Sequence, residues 1–190
     1  MEHELELVRH LLLFAVLIIA VYTDLARGRI YNWCTIGGLV AGLLISYALG
    51  GFWDLGLGGP NLVGALLGAA VALLVFAWPY FKGGIAAGDV KLMAAVGAIG
   101  GLQHGYIAYA LFYCSLVGAV MALLALIWRG RLLSGVKGAL RFAFTLERIS
   151  AGSGEPQGDG SDKTRKIAVP YGFAIAIGSI IAYYLVEVPR

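Results

Sequence analysis

Six long runs of apolar residues divide this chain of 190 residues, and they restrict its fold more than any other feature. A run of about 20 apolar residues spans the hydrocarbon core of a bilayer as a helix. Only 13% of the residues are charged, whereas a soluble domain carries about a quarter. The pattern predicts an all-α, polytopic membrane protein with about six transmembrane helices, at residues 5–23, 31–49, 62–81, 85–101, 106–128 and 167–188.

The basic residues predict how these spans are oriented. All 14 lysines and arginines except Arg9 and Arg190 fall on the loops, or at the span ends, of one side. Loops rich in Lys and Arg stay in the cytoplasm. Both termini are therefore expected on the outer side of the cell inner (plasma) membrane. The net charge of +3 then reflects topology, and no nucleic-acid partner is needed to explain it.

We predict one membrane-embedded domain, 1–190, with a long cytoplasmic loop at 130–166. Apolar residues recur at four-residue spacing in 131–150, which favours an amphipathic helix on the inner leaflet. The Gly- and Ser-rich segment 151–166 is typical of a flexible linker, with a substrate-contacting loop as the alternative. The first span is expected to be retained, because acidic residues precede it rather than the basic region of a signal peptide. Cys34 and Cys114 are expected to be small core residues without a disulfide.

The predicted topology places two acidic residues at membrane depth on the cytoplasmic side, Asp24 at the end of span one and Asp89 at the start of span four. Ionisable residues within a membrane are candidates for function. Each also has a structural explanation. Asp24 can pair with Arg27 or Arg29, and Asp89 can cap its helix.

The pairing of two carboxylates at one depth favours a chemical role. Two carboxylates in contact cannot both ionise cheaply, so the pair holds a single proton. Such a pair supplies a general base for water and a general acid for a leaving amine, which is the chemistry of aspartic peptide hydrolysis. The small residues Ala86, Ala87 and Gly88 would let a substrate backbone approach Asp89.

These segments resemble the type IV prepilin peptidases, which belong to the GxGD intramembrane aspartic proteases. The resemblance lies in three stretches: Asp24-Leu-Ala-Arg-Gly-Arg-Ile-Tyr-Asn32, Ala86-Ala-Gly-Asp-Val-Lys91-Leu, and the last-helix motif in "VPYGFAIAIG" at 169–178, which includes Pro170, Tyr171 and Gly172. Six spans is also the family's number. The resemblance implies that Asp24 and Asp89 are catalytic and that Asn32 and Lys91 belong to the active-site motif. We take Lys91 as a catalytic or substrate-orienting residue, a lysine reaching the headgroups, or an ion-pair partner of Asp89.

Two residues depart from the family pattern. Tyr31 stands where the family usually has Pro, and Ala86 stands where it has the first Gly of GxGD. Span one is not preceded by the paired CxxC motifs of the larger members, so methylation of the product is not expected. The short form is similar to the peptidases of Flp-type, tight-adherence pili.

The resemblance implies an endopeptidase that removes the basic leader from type IV prepilins or pseudopilins at the cytoplasmic face. It needs no cofactor or metal, and pilus or secretion assembly components are possible further partners. Two other functions remain open: a small proton- or cation-coupled transporter that uses the paired aspartates, and a noncatalytic module of an envelope assembly.

Overall fold

A computed structural model of the chain describes residues 2–52, 61–128 and 171–186. These residues form helices and short connections, and no strand is found among them. The helices are α1 (Glu2–Arg27), α2 (Asn32–Gly50), α3 (Leu62–Phe81), α4 (Ala87–Gly100), α5 (Tyr106–Trp128) and α6 (Tyr171–Val186), with a 3₁₀ turn at Gln103–Gly105. The predicted all-α class is therefore confirmed for the described part of the chain.

The helix lengths support four membrane spans directly. The candidates are His3–Arg27, Asn32–Gly50, Leu62–Phe81 and Tyr106–Ala125, which are both long and apolar enough to cross a bilayer. The helix α4 has 14 residues and α6 has 16. At 1.5 Å per residue they extend about 21 and 24 Å, less than the ~30 Å of a hydrocarbon core. The predicted number of six spans is thus not confirmed.

Among the described helices, the short helix α4 is the most enclosed. Its residues from Leu92 to Ile99 are all buried, and it packs against α1, α2, α3 and α6. An apolar helix that other helices surround does not have to match the thickness of the bilayer, because little of it meets lipid. This explains how a 14-residue helix can belong to a membrane protein.

Glycines bring the neighbouring helices close to α4. A Cβ on Gly68 would collide with the carbonyl oxygen of Gly97, and one on Gly97 would collide with that of Gly68. On the α2 side, a Cβ on Gly42 would lie 2.7 Å from a side-chain carbon of Ile99. Small residues at such spacing let membrane helices approach at backbone distance, and these glycines pack α4 against α2 and α3.

The chain divides into two compact units, residues 1–120 with 170–190, and residues 121–169. Of the second unit the structure describes only the end of α5. The predicted amphipathic helix at 131–150 and the predicted linker at 151–166 lie outside the described residues, as does Pro170. Both cysteines are buried and free, as predicted.

Candidate active site

The first predicted catalytic residue, Asp24, lies in the last turn of α1. The turn ends at Gly28, whose φ of 62° lies in the left-handed region and whose N–H donates to the Asp24 carbonyl oxygen at 2.8 Å. Only glycine adopts this conformation without strain. The Asp24 side chain is half-buried, and its Oδ2 accepts a hydrogen bond from the Gly172 N–H, at 3.1 Å.

The second predicted catalytic residue, Asp89, is the third residue of α4. Its Oδ2 accepts a hydrogen bond from the Ala86 N–H, at 3.3 Å, and so satisfies a backbone donor at the start of the helix. The carboxyl group also faces the positive end of the helix dipole. The side chain is 6% exposed.

The fold brings the two aspartates together from 65 positions apart in the sequence. They are close enough for the charge of Asp24 to act on Asp89. The only other carboxylates in the described ranges are in the first two turns of α1, at the opposite end of that helix. The site therefore contains an isolated pair of carboxyl groups, one half-buried and one buried.

The three small residues before Asp89 have different environments. Ala86 and Ala87 are exposed, which leaves the backbone on that side accessible. Gly88 is half-buried, and a Cβ there would lie 3.2 Å from the Cβ of Ile30. The glycine at this position therefore lets the connection between α1 and α2 pack against the start of α4.

Asn32 and Lys91 are joined directly. The Lys91 Nζ donates to Asn32 Oδ1 at 3.0 Å, and both side chains are exposed. Asn32 is the first residue of α2 and Lys91 lies in the second turn of α4. The hydrogen bond thus connects the two motif segments, each of which carries or follows one aspartate.

The structure places two further side chains near Asp89, one from the predicted last-helix motif and one that the sequence did not suggest as part of the site. Tyr171 and Cys114 both lie close enough to Asp89 to be affected by its charge. The hydroxyl of Tyr171 also fills the space beside Gly118 on α5, since a Cβ there would lie 3.0 Å from it. Tyr171 was predicted from the last-helix motif, whereas Cys114 had been assigned only to the core, because a cysteine in an apolar run carries no signal of its neighbours.

The arrangement can carry out proton transfer. A carboxyl pair that shares one proton can accept a proton from water and return one to a leaving group. Within the described ranges, no group of three or more His, Cys, Asp or Glu side chains is placed to hold a metal ion.

The fold and site define a class, that of helical membrane proteins with a carboxyl pair at one end of the bundle. The model of the type IV leader peptidase family matches residues 11–123, more than half of the chain and a range that contains both aspartates. The protein belongs to the type IV leader peptidase family, and is thus a peptidase of the membrane. No curated protein and no solved structure gives a significant match. The family gives no support to the alternative of a transporter.

Proposed function

We propose that the protein is an aspartic endopeptidase that removes the basic leader from type IV prepilins or pseudopilins, with Asp24 and Asp89 as its catalytic residues. The observation that carries the proposal is the proximity of these two carboxyl groups, which come from separate helices and are close enough for the charge of Asp24 to act on Asp89. The family membership supplies the reaction class. The acid–base chemistry supplies the mechanism.

In the proposed reaction, one aspartate is ionised and the other is protonated. The ionised carboxylate takes a proton from water, and the resulting hydroxide adds to the carbonyl carbon of the scissile peptide bond. The protonated carboxyl group stabilises the developing oxyanion. The C–N bond then breaks as a proton passes to the departing amine, which leaves a carboxylic acid and a free amine. Because the pair is coupled, the roles of base and acid belong to the two groups together.

The path for the substrate leads past Ala86 and Ala87, which are exposed beside Asp89. A peptide must be extended to be cleaved, and an extended chain binds through its backbone groups. Methyl side chains at 86 and 87 leave space for such a backbone. The hydrophobic helix of a prepilin would remain in the bilayer while its basic leader reached the cytoplasm.

The active site is proposed to face the cytoplasm. Arg27, Arg29 and Lys91, next to the aspartates in the sequence, are exposed. The ammonium group of Lys82 lies 4.6 Å from the centre of the Trp78 ring, and Trp with Lys is a common combination at the membrane–water interface. A cysteine introduced at position 159 should react with a membrane-impermeant thiol probe only in inside-out vesicles. The background is expected to be low because Cys34 and Cys114 are buried. Reaction from the periplasmic side would contradict the orientation.

The direct test is co-expression with a prepilin, followed by mass spectrometry of the pilin N-terminus. We expect the wild-type protein to remove the leader, and Asp24→Asn and Asp89→Asn each to leave it in place. Glu4→Gln is the matched control, because it makes the same carboxylate-to-amide change on α1 at an exposed position and should cleave normally. Processing at the wild-type rate by either Asn variant would contradict the aspartic mechanism.

A further inference from the structure

The start of α6 contacts Asp24, one of the two proposed catalytic residues, through the backbone of a glycine. Gly172 is the second residue of α6, and 148 positions separate it from Asp24, whose Oδ2 accepts its N–H at 3.1 Å. The first four N–H groups of a helix have no partner within the helix. Asp24 therefore supplies an acceptor that the helix lacks, and the helix supplies a donor to the carboxylate.

The same glycine leaves the space that Asp24 occupies. A Cβ built on Gly172 would lie 2.8 Å from Asp24 Oδ2 and 3.3 Å from both Cβ and Cγ of Asp24. The three nearest atoms all belong to this one side chain. Any larger residue at 172 would thus have to displace the Asp24 carboxylate.

These two contacts restrict how Asp24 can point. Its Oδ2 accepts the Gly172 N–H, so in the proposed reaction Oδ1 is the oxygen that would exchange a proton with water, substrate or Asp89. An acid–base group works only when it is oriented towards the proton it moves. Asp24 is at the end of α1 and half-exposed, so that its own helix restricts it less than α4 restricts Asp89.

We infer that Gly172 is a positioning residue of the active site, whose N–H and missing side chain hold the Asp24 carboxylate in its reactive orientation. The inference rests on the proposed function, since it assigns α6 a role in the same reaction. It makes the beginning of the last helix a third part of the active site, beside the end of α1 and the start of α4.

The activity test uses Gly172→Ala in the full-length protein with a prepilin substrate. A misplacement of about 1 Å in a catalytic group can reduce the rate about 10²-fold, and we expect a fall in kcat of that order with KM unchanged. Gly37→Ala is the matched control, because a Cβ at Gly37 meets nothing within 4 Å. A general effect on folding would instead lower the amount of active protein, which is measured separately.

A thermal unfolding cycle tests the contact without any substrate. Gly172→Ala should lower the unfolding temperature of the wild-type protein, and should lower it much less in an Asp24→Ala background, where the colliding oxygen is gone. This readout remains usable even if Gly172→Ala is too unstable for kinetics. It also separates the inference from the proposed function, whose failure would be seen as cleavage by Asp24→Asn or Asp89→Asn.

The kcat measurement and the unfolding cycle together distinguish the possible roles of Gly172. Loss of kcat together with relief in the Asp24→Ala background supports the positioning role. Equal destabilisation in both backgrounds would show that Gly172 does not act through Asp24. Relief in that background with an unchanged kcat in Gly172→Ala would show a structural contact without a role in catalysis, and would likewise overturn the inference.

Discussion

Asp89 and Asp24 have equivalent positions in the proposed reaction, but the protein holds them by different means. Asp89 is buried, and its hydrogen-bond donor, Ala86, is only three residues away, at the N-cap of the same helix. Asp24 is half-buried, and its donor comes from α6, 148 residues away. One carboxyl group is fixed by local helix geometry, and the other by the tertiary fold. The reactive geometry therefore depends on α6 docking against α1 at one end of the site and on the packing of α4 at the other.

The largest effect is expected from removing either carboxyl group. Loss of acid–base catalysis costs about 10²- to 10⁴-fold in rate, and Asp24→Asn and Asp89→Asn should lower kcat by similar factors in spite of their different environments. Because residues that act as a unit are not additive, the double variant should be scarcely slower than either single variant. Single-turnover cleavage of a prepilin measures the rate constants of the two single variants and of the double variant. A double variant whose loss equals the product of the single losses would show that the two groups act independently.

The difference between the two aspartates also explains what could be predicted from the sequence. An Asp near the beginning of a helix is a local signal, so the role of Asp89 at the start of α4 could be predicted from the order of residues alone. The hydrogen bond from Gly172 has no such signal, because a backbone N–H is present at every residue except proline. The motif at 169–178 indicated that α6 belongs to the site. The contact through which α6 acts on Asp24 is seen only in the folded structure.

The positions of the helices were predicted from the sequence more accurately than the neighbours against which each helix packs. The four long helices match the predicted runs closely, because hydropathy reports the transfer of side chains from water. The enclosure of α4 depends on which helices surround it, and the hydropathy of α4 alone does not indicate those neighbours. Glycines are ambiguous for the same reason: Gly88, which the pattern assigned to substrate approach, contacts Ile30, whereas Gly68 and Gly97 face one another as helix-packing residues.

A smaller but still clear effect is expected where α4 is packed. Gly97→Ala would direct a methyl group into the backbone of Gly68, and overpacking of this kind typically costs about 1–3 kcal/mol. We expect a lower unfolding temperature in detergent and a parallel fall in the yield of folded enzyme. The folded fraction should retain most of its kcat, since Gly97 lies more than two turns along α4 from Asp89 and does not contact the carboxyl group.

The control for this substitution is again Gly37→Ala, at an exposed position of α2. There a methyl group meets nothing, and the higher helix propensity of Ala favours the folded state by up to about 1 kcal/mol. The two Gly→Ala changes should therefore shift the unfolding temperature in opposite directions. A neutral Gly97→Ala would mean that α3 and α4 can separate at little cost, and that the buried aspartate is held less firmly than its burial indicates.

The smallest effect is expected at the hydrogen bond between Lys91 and Asn32. A hydrogen bond of this kind contributes about 0.5–1.5 kcal/mol, and this one is exposed to solvent. Lys91→Met retains the apolar part of the side chain and removes the ammonium group, so we expect cleavage to slow by less than about tenfold. Asn32→Ala should have a similar effect, and the double variant should resemble each single one, because both substitutions remove the same contact. Measurement of kcat and KM for the three variants tests this. A loss in Lys91→Met as large as that in Asp89→Asn would instead give the ammonium group a direct part in the reaction, as a charge that stabilises the ionised carboxylate or the oxyanion.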